Sequence, residues 1–526
     1  MNRTVIGNLA VILALLALGF GLGLWQTRSW ELAAPLPAQW LTAGGSLLVY
    51  ALVCALLWRA RRQPAKPAPA SGHWLVAWAS QTGTATELAR RSAQALTAGG
   101  QRAELLPLHA LDPATLAAAR GLLVVAATTG EGDAPDHAAA CDHGLLRQPQ
   151  ALAGLPCAVL ALGDRDYTDF CAFGQRVGAW LTLSRARLLA PVIEVNREDP
   201  AALARWQQLL AGLGAAAGTQ LAANGDAPWQ LVQRQLLNPG SQGGPVHHLQ
   251  LVPAAGPLPA WQAGDIALIT PQHAPDQVAQ WLASHRLDGT QPLANGRALA
   301  DHLATVQLPQ AVPSGAPDEW ALALPALTAR EYSIASMPAE GHLDLLLRRH
   351  TGPDGRPGLG SGWLCDVLAP GQATNLRLRS NPSFHPPGNE VPLVLVGNGT
   401  GIAGLRAQLR ARIDAGHGRN WLLFGERSRA CDYHFGQELE RWHRDGQLER
   451  LDVTFSRDGG QYRHVQHVLA ARADELKRWL DAGAVIMVCG SLKGMAPDVD
   501  AVIVQVLGQA GRDALLASGR YRRDVY

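Results

Sequence analysis

An arginine, a tyrosine and a serine stand together in the segment REYSIAS at residues 330–336. Together they offer a cation for a diphosphate, a flat ring for stacking, and a hydroxyl that can hydrogen-bond at a reacting atom. Three glycine-rich segments accompany them: SQTGTATE at 80–87, GLGSGWL at 358–364 and VGNGTGIAG at 396–404. In each, small or hydroxyl residues stand where a helix can open. Backbone N–H groups and the positive end of the helix dipole would there receive a phosphate. Taken singly, such a segment reads as an ordinary turn and N-cap; three of them beside REYSIAS in one chain ask for a common explanation.

The elements that position these segments follow from the hydrophobic pattern. Apolar runs at 74–79, 121–126 and 157–162 read as short buried strands, and each leads into a loop and then a helical stretch. The second and third loops are TTGEGDAPDHA, from Thr128, and LGDRDYTDFCAFG, from Leu162. Strands alternating with helices predict a parallel, doubly wound sheet whose ligand lies at the carboxyl ends of the strands. From Trp229 to about Pro271 the pattern alternates with period two, as in VHHLQLV and WQAGDIALIT. A polar, helical stretch from Asp276 reads as an insertion within a β-barrel. Strand patterns resume at Tyr332, and a Pro/Gly-rich boundary at 381–390 precedes a second βα series.

Composition narrows the function classes. The 526 residues suit about three domains, and 48% hydrophobic against 17% charged residues can fill their cores. A net charge of +2 excludes the basic excess of a nucleic-acid binder. Seven cysteines lie singly, with no metal spacing, so reduced thiols and no metal site are expected. Residues 5–25 and 41–58 are apolar runs near spanning length, with Arg59, Arg61, Arg62 and Lys66 following the second. Neither run contains a histidine that could ligate haem. They predict a membrane hairpin over 1–62 with both ends cytoplasmic, then a Pro/Ala-rich linker over 63–72.

These motifs, in this order, resemble the diflavin reductases, which join a flavodoxin module to a ferredoxin-NADP reductase-like module. The resemblance covers nearly all of residues 73–526. It is strongest to the flavoprotein component of bacterial sulfite reductase, and NADPH–cytochrome P450 reductase is a more distant relative. It implies an FMN-binding flavodoxin-like domain over 73–222 and an FAD-binding β-barrel over 228–388, with a helical insertion at about 276–326. An NADP-binding α/β domain over 391–526 completes the expected architecture.

The same resemblance assigns residues. For FMN it implies Ser80, Gln81, Thr82, Gly83, Thr84, Thr128, Gly130 and Gly163, with Tyr167 stacking on the ring. Thr129 stands where many relatives carry an aromatic residue. For FAD it implies Arg330, Tyr332, Ser333, Gly358, Gly360, Ser361 and Tyr526, the last covering the ring until the nicotinamide arrives. For NADPH it implies Gly397, Gly399, Thr400, Gly401, Arg427, Cys489 and Gly490. Ser456, Arg457 and Arg463 are implied at the 2′-phosphate. Ser333, Cys489 and Asp524 would surround the hydride path.

The implied activity is an enzyme passing electrons from NADPH through FAD and FMN to a haem, sirohaem or iron–sulfur protein docking at the FMN domain. Glu131, Asp133, Asp136, Asp164, Asp166 and Asp169 form an acidic rim suited to a basic acceptor. Reduction of a ferric chelate or siderophore, and a membrane redox sensor without turnover, are the alternatives. With the hairpin, the expected location is a bacterial inner membrane, the catalytic domains facing the cytoplasm.

Overall fold

Three sheets organise the chain, each with the burial pattern its sequence dictates. A computed structural model describes residues 72–526 apart from Glu131, Asp166, Glu198, 217–225, Asp354 and Asn389. The segments expected as hairpin and linker, 1–62 and 63–72, lie outside the described residues but for Gly72.

The first sheet holds β1 (Trp74–Ala79), β2 (Ala103–Pro107), β3 (Gly121–Ala127), β4 (Pro156–Gly163), β5 (Arg187–Leu188) and β6 (Ile193–Asn196). Its order is β2-β1-β3-β4-β5, with β6 also paired to β4, and every pairing is parallel. Both faces are covered, so the strands are apolar throughout. Trp74, Val76, Leu123, Val125 and Leu160 pack to one side, and Leu75, Ala77, Leu122, Val124 and Val159 to the other. The helix after β1 begins at Thr84, where Gly83 turns the chain with φ 89°.

The second sheet is antiparallel: β7 (Ala227–Leu236), β8 (Val246–Pro253), β9 (Ile266–Thr270), β10 (Arg330–Ser333), β11 (Leu343–Arg348) and β12 (Ala373–Arg379). The order β10-β9-β12-β7-β8-β11 is closed into a barrel by a bridge between Ile334 and Leu345. Its core gathers Trp229, Leu231, Leu249, Trp261, Leu345 and Trp363. The insertion carries short helices at Pro275–Ser284, Leu299–Leu303 and Pro317–Ala321. Val278, Leu282, Leu299 and Trp320 give it a small core of its own.

The third sheet, β13 (Leu393–Asn398), β14 (Asn420–Glu426), β15 (Arg450–Phe455), β16 (Val485–Gly490) and β17 (Tyr521–Val525), is again parallel, in the order β15-β14-β13-β16-β17. The final pairing sets Cys489 opposite Asp524 and Gly490 opposite Val525. The segment from Tyr521 is therefore an edge strand and not a frayed end. The Tyr526 N–H donates to Gly490 O at 3.0 Å, and the Leu492 N–H donates to Tyr526 O at 3.0 Å.

Candidate functional site

The barrel and the third sheet meet where β10 faces the ends of β16 and β17. Ser333 Oγ donates to Asp524 Oδ2 at 2.7 Å, and Cys489 Sγ lies 3.8 Å from the same oxygen. Three residues from three segments thus converge on one buried point. Burial pushes the Asp524 carboxyl above its usual range, with Ser333 acting against the shift. Burial, and then the adjacent Asp524 charge, push the Cys489 thiol well up, so it stays a neutral thiol. The glycine turn before the helix Ile402–Asp414 closes the same spot. A Cβ on Gly401 would lie 2.2 Å from Cys489 O, and one on Gly404 would lie 3.5 Å from Ser333 Cβ. Gly397 and Gly490 are equally hemmed in, by Leu405 and by Asn398. Only glycine lets these backbones approach so closely.

Tyr526 is 56% exposed, and its ring stands at the rim of a large cavity. Burial raises its phenol well above the ordinary value, as do neighbouring Cys489 and Asp524, with Thr400 and Ser333 opposing. The hydroxyl end thus neighbours Cys489, Asp524, Thr400 and Ser333.

On the barrel, REYS and the 358–361 turn are in contact. A Cβ on Gly360 would meet Arg330 Cγ at 2.6 Å and Tyr332 Oη at 2.9 Å. Ser361 Oγ accepts from the His350 N–H at 3.0 Å, fixing the turn. Arg330 donates to Thr328 O at 2.9 Å and is exposed, so its charge remains available to a diphosphate. Glu331 is spent on a two-bond pair with Arg379, both at 2.6 Å. Nothing local in the motif announces that pair.

The flavodoxin-like loops line the same cavity of about 2000 Å³ that Arg330 and Tyr526 border, and Ser80, Thr82, Thr84, Thr128, Gly130, Gly163 and Tyr167 face it. Ser80 Oγ accepts from the Gly83 N–H at 3.0 Å, and the 15-residue helix after Gly83 opens without a side-chain cap. Its first N–H groups are left for a phosphate. Tyr167 is 46% exposed on the cavity side. Uncapped helix starts, glycines with no room for a Cβ and two tyrosines, Tyr167 and Tyr526, lining the cavity fit two flavins and a dinucleotide.

Three expected residues have further duties. The Gln81 side chain donates to Asp136 Oδ2 at 2.9 Å and to Arg523 O at 3.2 Å, and its Oε1 accepts from the Asp136 N–H at 3.0 Å. Asp136 also takes two hydrogen bonds from Arg523, of which the Nε bond is 2.7 Å. Asp164 pairs with Arg197 at 3.0 Å. The acidic rim is corrected accordingly. Asp136 and Asp164 are half-buried and ion-paired, Asp133 and Asp169 are exposed, and Glu131 and Asp166 lie outside the described residues. Ser456, Arg457 and Arg463 follow β15. The Arg457 N–H donates to Arg427 O at 2.8 Å, which brings these two arginines to neighbouring strand ends, and Arg457 and Arg463 are exposed.

Among the described residues, Glu426, Asp432 and His434 are a buried group whose ligand-type atoms lie within 4.8 Å of one another. Sequence reading missed it, since no spacing rule links a strand end to a following helix this way. Both Glu426 oxygens are already engaged, Oε1 by Arg348 at 2.6 Å and Oε2 by the Arg427 N–H at 2.8 Å.

Two family models match: flavodoxin over residues 76–207 and the oxidoreductase NAD-binding domain over 395–501. The sulfite reductase [NADPH] flavoprotein alpha-component of Vibrio cholerae is 30% identical, covering 87% of this chain and 88% of that protein. The protein of the same name from Yersinia enterocolitica is 30% identical over 88% and 91%, and that from Bacillus subtilis 28% over 88% and 90%. The chain belongs to the diflavin reductase family. As a member it is an NADPH-dependent flavoprotein oxidoreductase, of a family whose cofactors are FMN, FAD and NADPH.

The comparisons also correct the expected membrane location. Close to nine-tenths of the chain aligns with reductase flavoprotein components. Among the described residues no helix is long and apolar enough to cross a membrane. The expectation rested on 5–25 and 41–58, which lie outside the described residues.

Proposed function

We propose that this reductase delivers electrons to a haem or iron–sulfur protein that docks over the loops of the first sheet, with 73–222, 228–388 and 391–526 as its working units. When bound, the nicotinamide supplies a hydride, FAD separates the electron pair and FMN hands electrons on singly. The chain's own residues supply position and exclusion. Asp524 accepts from Ser333 and so fixes the hydroxyl toward the hydride path. Cys489, buried and neutral, fills the space behind it and keeps water out. Tyr526 is pinned through its backbone on both sides, so its ring can swing without the strand moving. Arg457 and Arg463 stand exposed where a 2′-phosphate would need cations. Exposed Asp133 and Asp169 favour an acceptor with a basic face.

The observation that carries this reading is the meeting of Ser333, Cys489 and Asp524 at one point, from segments up to 191 residues apart. The purified chain should release FMN and FAD in equal amounts and oxidise NADPH in step with reduction of a haem protein. Stripping FMN should abolish haem-protein reduction while NADPH oxidation by a small chemical oxidant continues. A single flavin type, or no effect of FMN removal, rejects the scheme.

A further inference from the structure

The barrel carries a charged face beside the contact between Ser333 and Asp524. Glu331 stands opposite Leu268 of β9, and Leu268 stands opposite Arg377 of β12. Two residues along, Ser333, Ile266 and Arg379 form the next row. Residues opposite one another in antiparallel strands share a face, as do residues two apart along a strand. Glu331, Ser333, Arg377 and Arg379 therefore stand on one side of the sheet. Arg379 reaches diagonally across it and donates to both Glu331 oxygens, each at 2.6 Å. Its side chain is 7% exposed and that of Glu331 46%, and both line the cavity that the flavodoxin-like loops share with REYS.

The pair lies between the two candidate flavin pockets. On one side Arg379 leads directly into Ser380, whose carbonyl oxygen would be 2.3 Å from a Cβ on Gly83 in the hydroxyl loop. On the other, Glu331 stands between Arg330 and Tyr332, which both touch the turn at Gly360. Its charge also reaches Asp524. Burial is the main cause of the raised Asp524 carboxyl, against the Ser333 hydrogen bond. After these, Glu331 adds to the rise and Arg379 opposes it. The two charges thus act on the same corner with opposite sign.

A flavin that accepts a hydride gains two electrons and one proton. It then carries one added negative charge until solvent supplies a second proton. A lone guanidinium nearby would stabilise that charge and hold the electrons back from the next carrier. A carboxylate bonded to the guanidinium through both oxygens offsets its field. We propose that Glu331 masks Arg379, so that FAD seated on REYS keeps a low potential and gives up its electrons toward FMN. Both residues act through charge and not by contact with a substrate. The proposal rests on the FAD reading of REYS above and adds the residues that set the potential there.

The deciding measurement is a potential and not a rate. Redox titration against dyes of known potential, on the flavin-loaded chain before and after FMN is stripped, isolates the FAD couple. Glu331→Gln unmasks the guanidinium and should favour reduced FAD about tenfold, which is about 30 mV upward for two electrons. Arg379→Gln leaves a bare carboxylate and should disfavour reduced FAD by a similar factor. Glu331→Gln/Arg379→Gln removes both charges and should return to within about twofold of the wild type. Unmoved potentials in the single variants overturn the proposal. So do shifts of one sign in both, or a double variant displaced as far as either single one, since these mark rearrangement and not charge. A shift confined to the FMN couple would place the pair at the other flavin and overturns it too. If the double variant releases FAD, the pair holds the flavin and does not tune it, and the proposal falls. A wild-type chain without FAD would instead reject the underlying reading.

Discussion

The proposed hydride site and the flavodoxin-like pocket are built on opposite plans. At the first, Ser333, Cys489 and Asp524 touch one another in a dry, glycine-lined corner, and Asp524 and Cys489 are buried. At the second, hydroxyl-bearing loops border an open cavity and Tyr167 keeps 46% of its surface exposed. Hydride transfer needs reacting atoms nearly in contact and a fixed geometry. Delivery to a separate protein needs an accessible edge. Rigidity is placed where distance matters most, and openness where a partner must arrive.

The contrast is broken most strongly at the closed end. Asp524→Ala should lower NADPH-driven turnover by about a hundredfold or more, because Ser333 loses the acceptor that orients it. Flavin content and the rate of haem-protein reduction after chemical reduction should stay as in the wild type. Stopped-flow traces of flavin bleaching by NADPH check this, and an unaltered trace would remove Asp524 from the hydride path. Next in size, Arg457→Ala should raise KM for NADPH by roughly thirtyfold and leave NADH nearly untouched, since a charge-assisted contact contributes about 2 kcal/mol. Equal losses with both dinucleotides would move that cation away from the 2′-phosphate.

The open end is sharpened by pH. His137 packs against the Trp78 ring at 4.9 Å and the His109 ring at 5.6 Å. Burial, and then the neighbouring His109, lower its pKa from 6.5 to about 4. The unfolded chain thus takes up a proton as pH drops below 6.5, while the folded chain resists until about 4. Stability from this residue is complete above pH 6.5 and declines through that window, by about 1 kcal/mol between pH 7 and pH 5.5. Urea unfolding at those two pH values should show a smaller difference in His137→Phe than in the wild type. The smallest effect is expected at Tyr526. Tyr526→Ala should raise the NADH/NADPH ratio of kcat/KM by about threefold, because a ring that both dinucleotides must displace is gone. An unchanged ratio rejects the covering role.

Local motifs made much of this site legible. REYS, the two glycine turns of the reductase half and the hydroxyl loop at 80–84 each carry their chemistry within a few residues. The strands at 74–79, 121–126 and 157–162 follow from unbroken apolar runs. What stayed hidden depends on how sheets pack. Asp136 meets Arg523 across 387 residues, and Arg348 meets Glu426 across 78. Neither pair has a spacing that a sequence could advertise. The two N-terminal apolar runs are the converse case, since their reading rested on hydropathy alone and they lie outside the described residues.

Strand β17 has a consequence for how this protein can vary. Its pleat sends Asp524 to Ser333, while the adjacent Arg523 reaches Asp136. Adjacent residues of one short strand therefore address two different regions, the proposed hydride corner and the loops of the first sheet. An insertion or deletion of one codon inside it would exchange the two faces at once, turning the arginine toward the hydride corner and the carboxylate away from it. Drift in this segment should proceed by substitution, and length changes should be confined to the turn before Arg520.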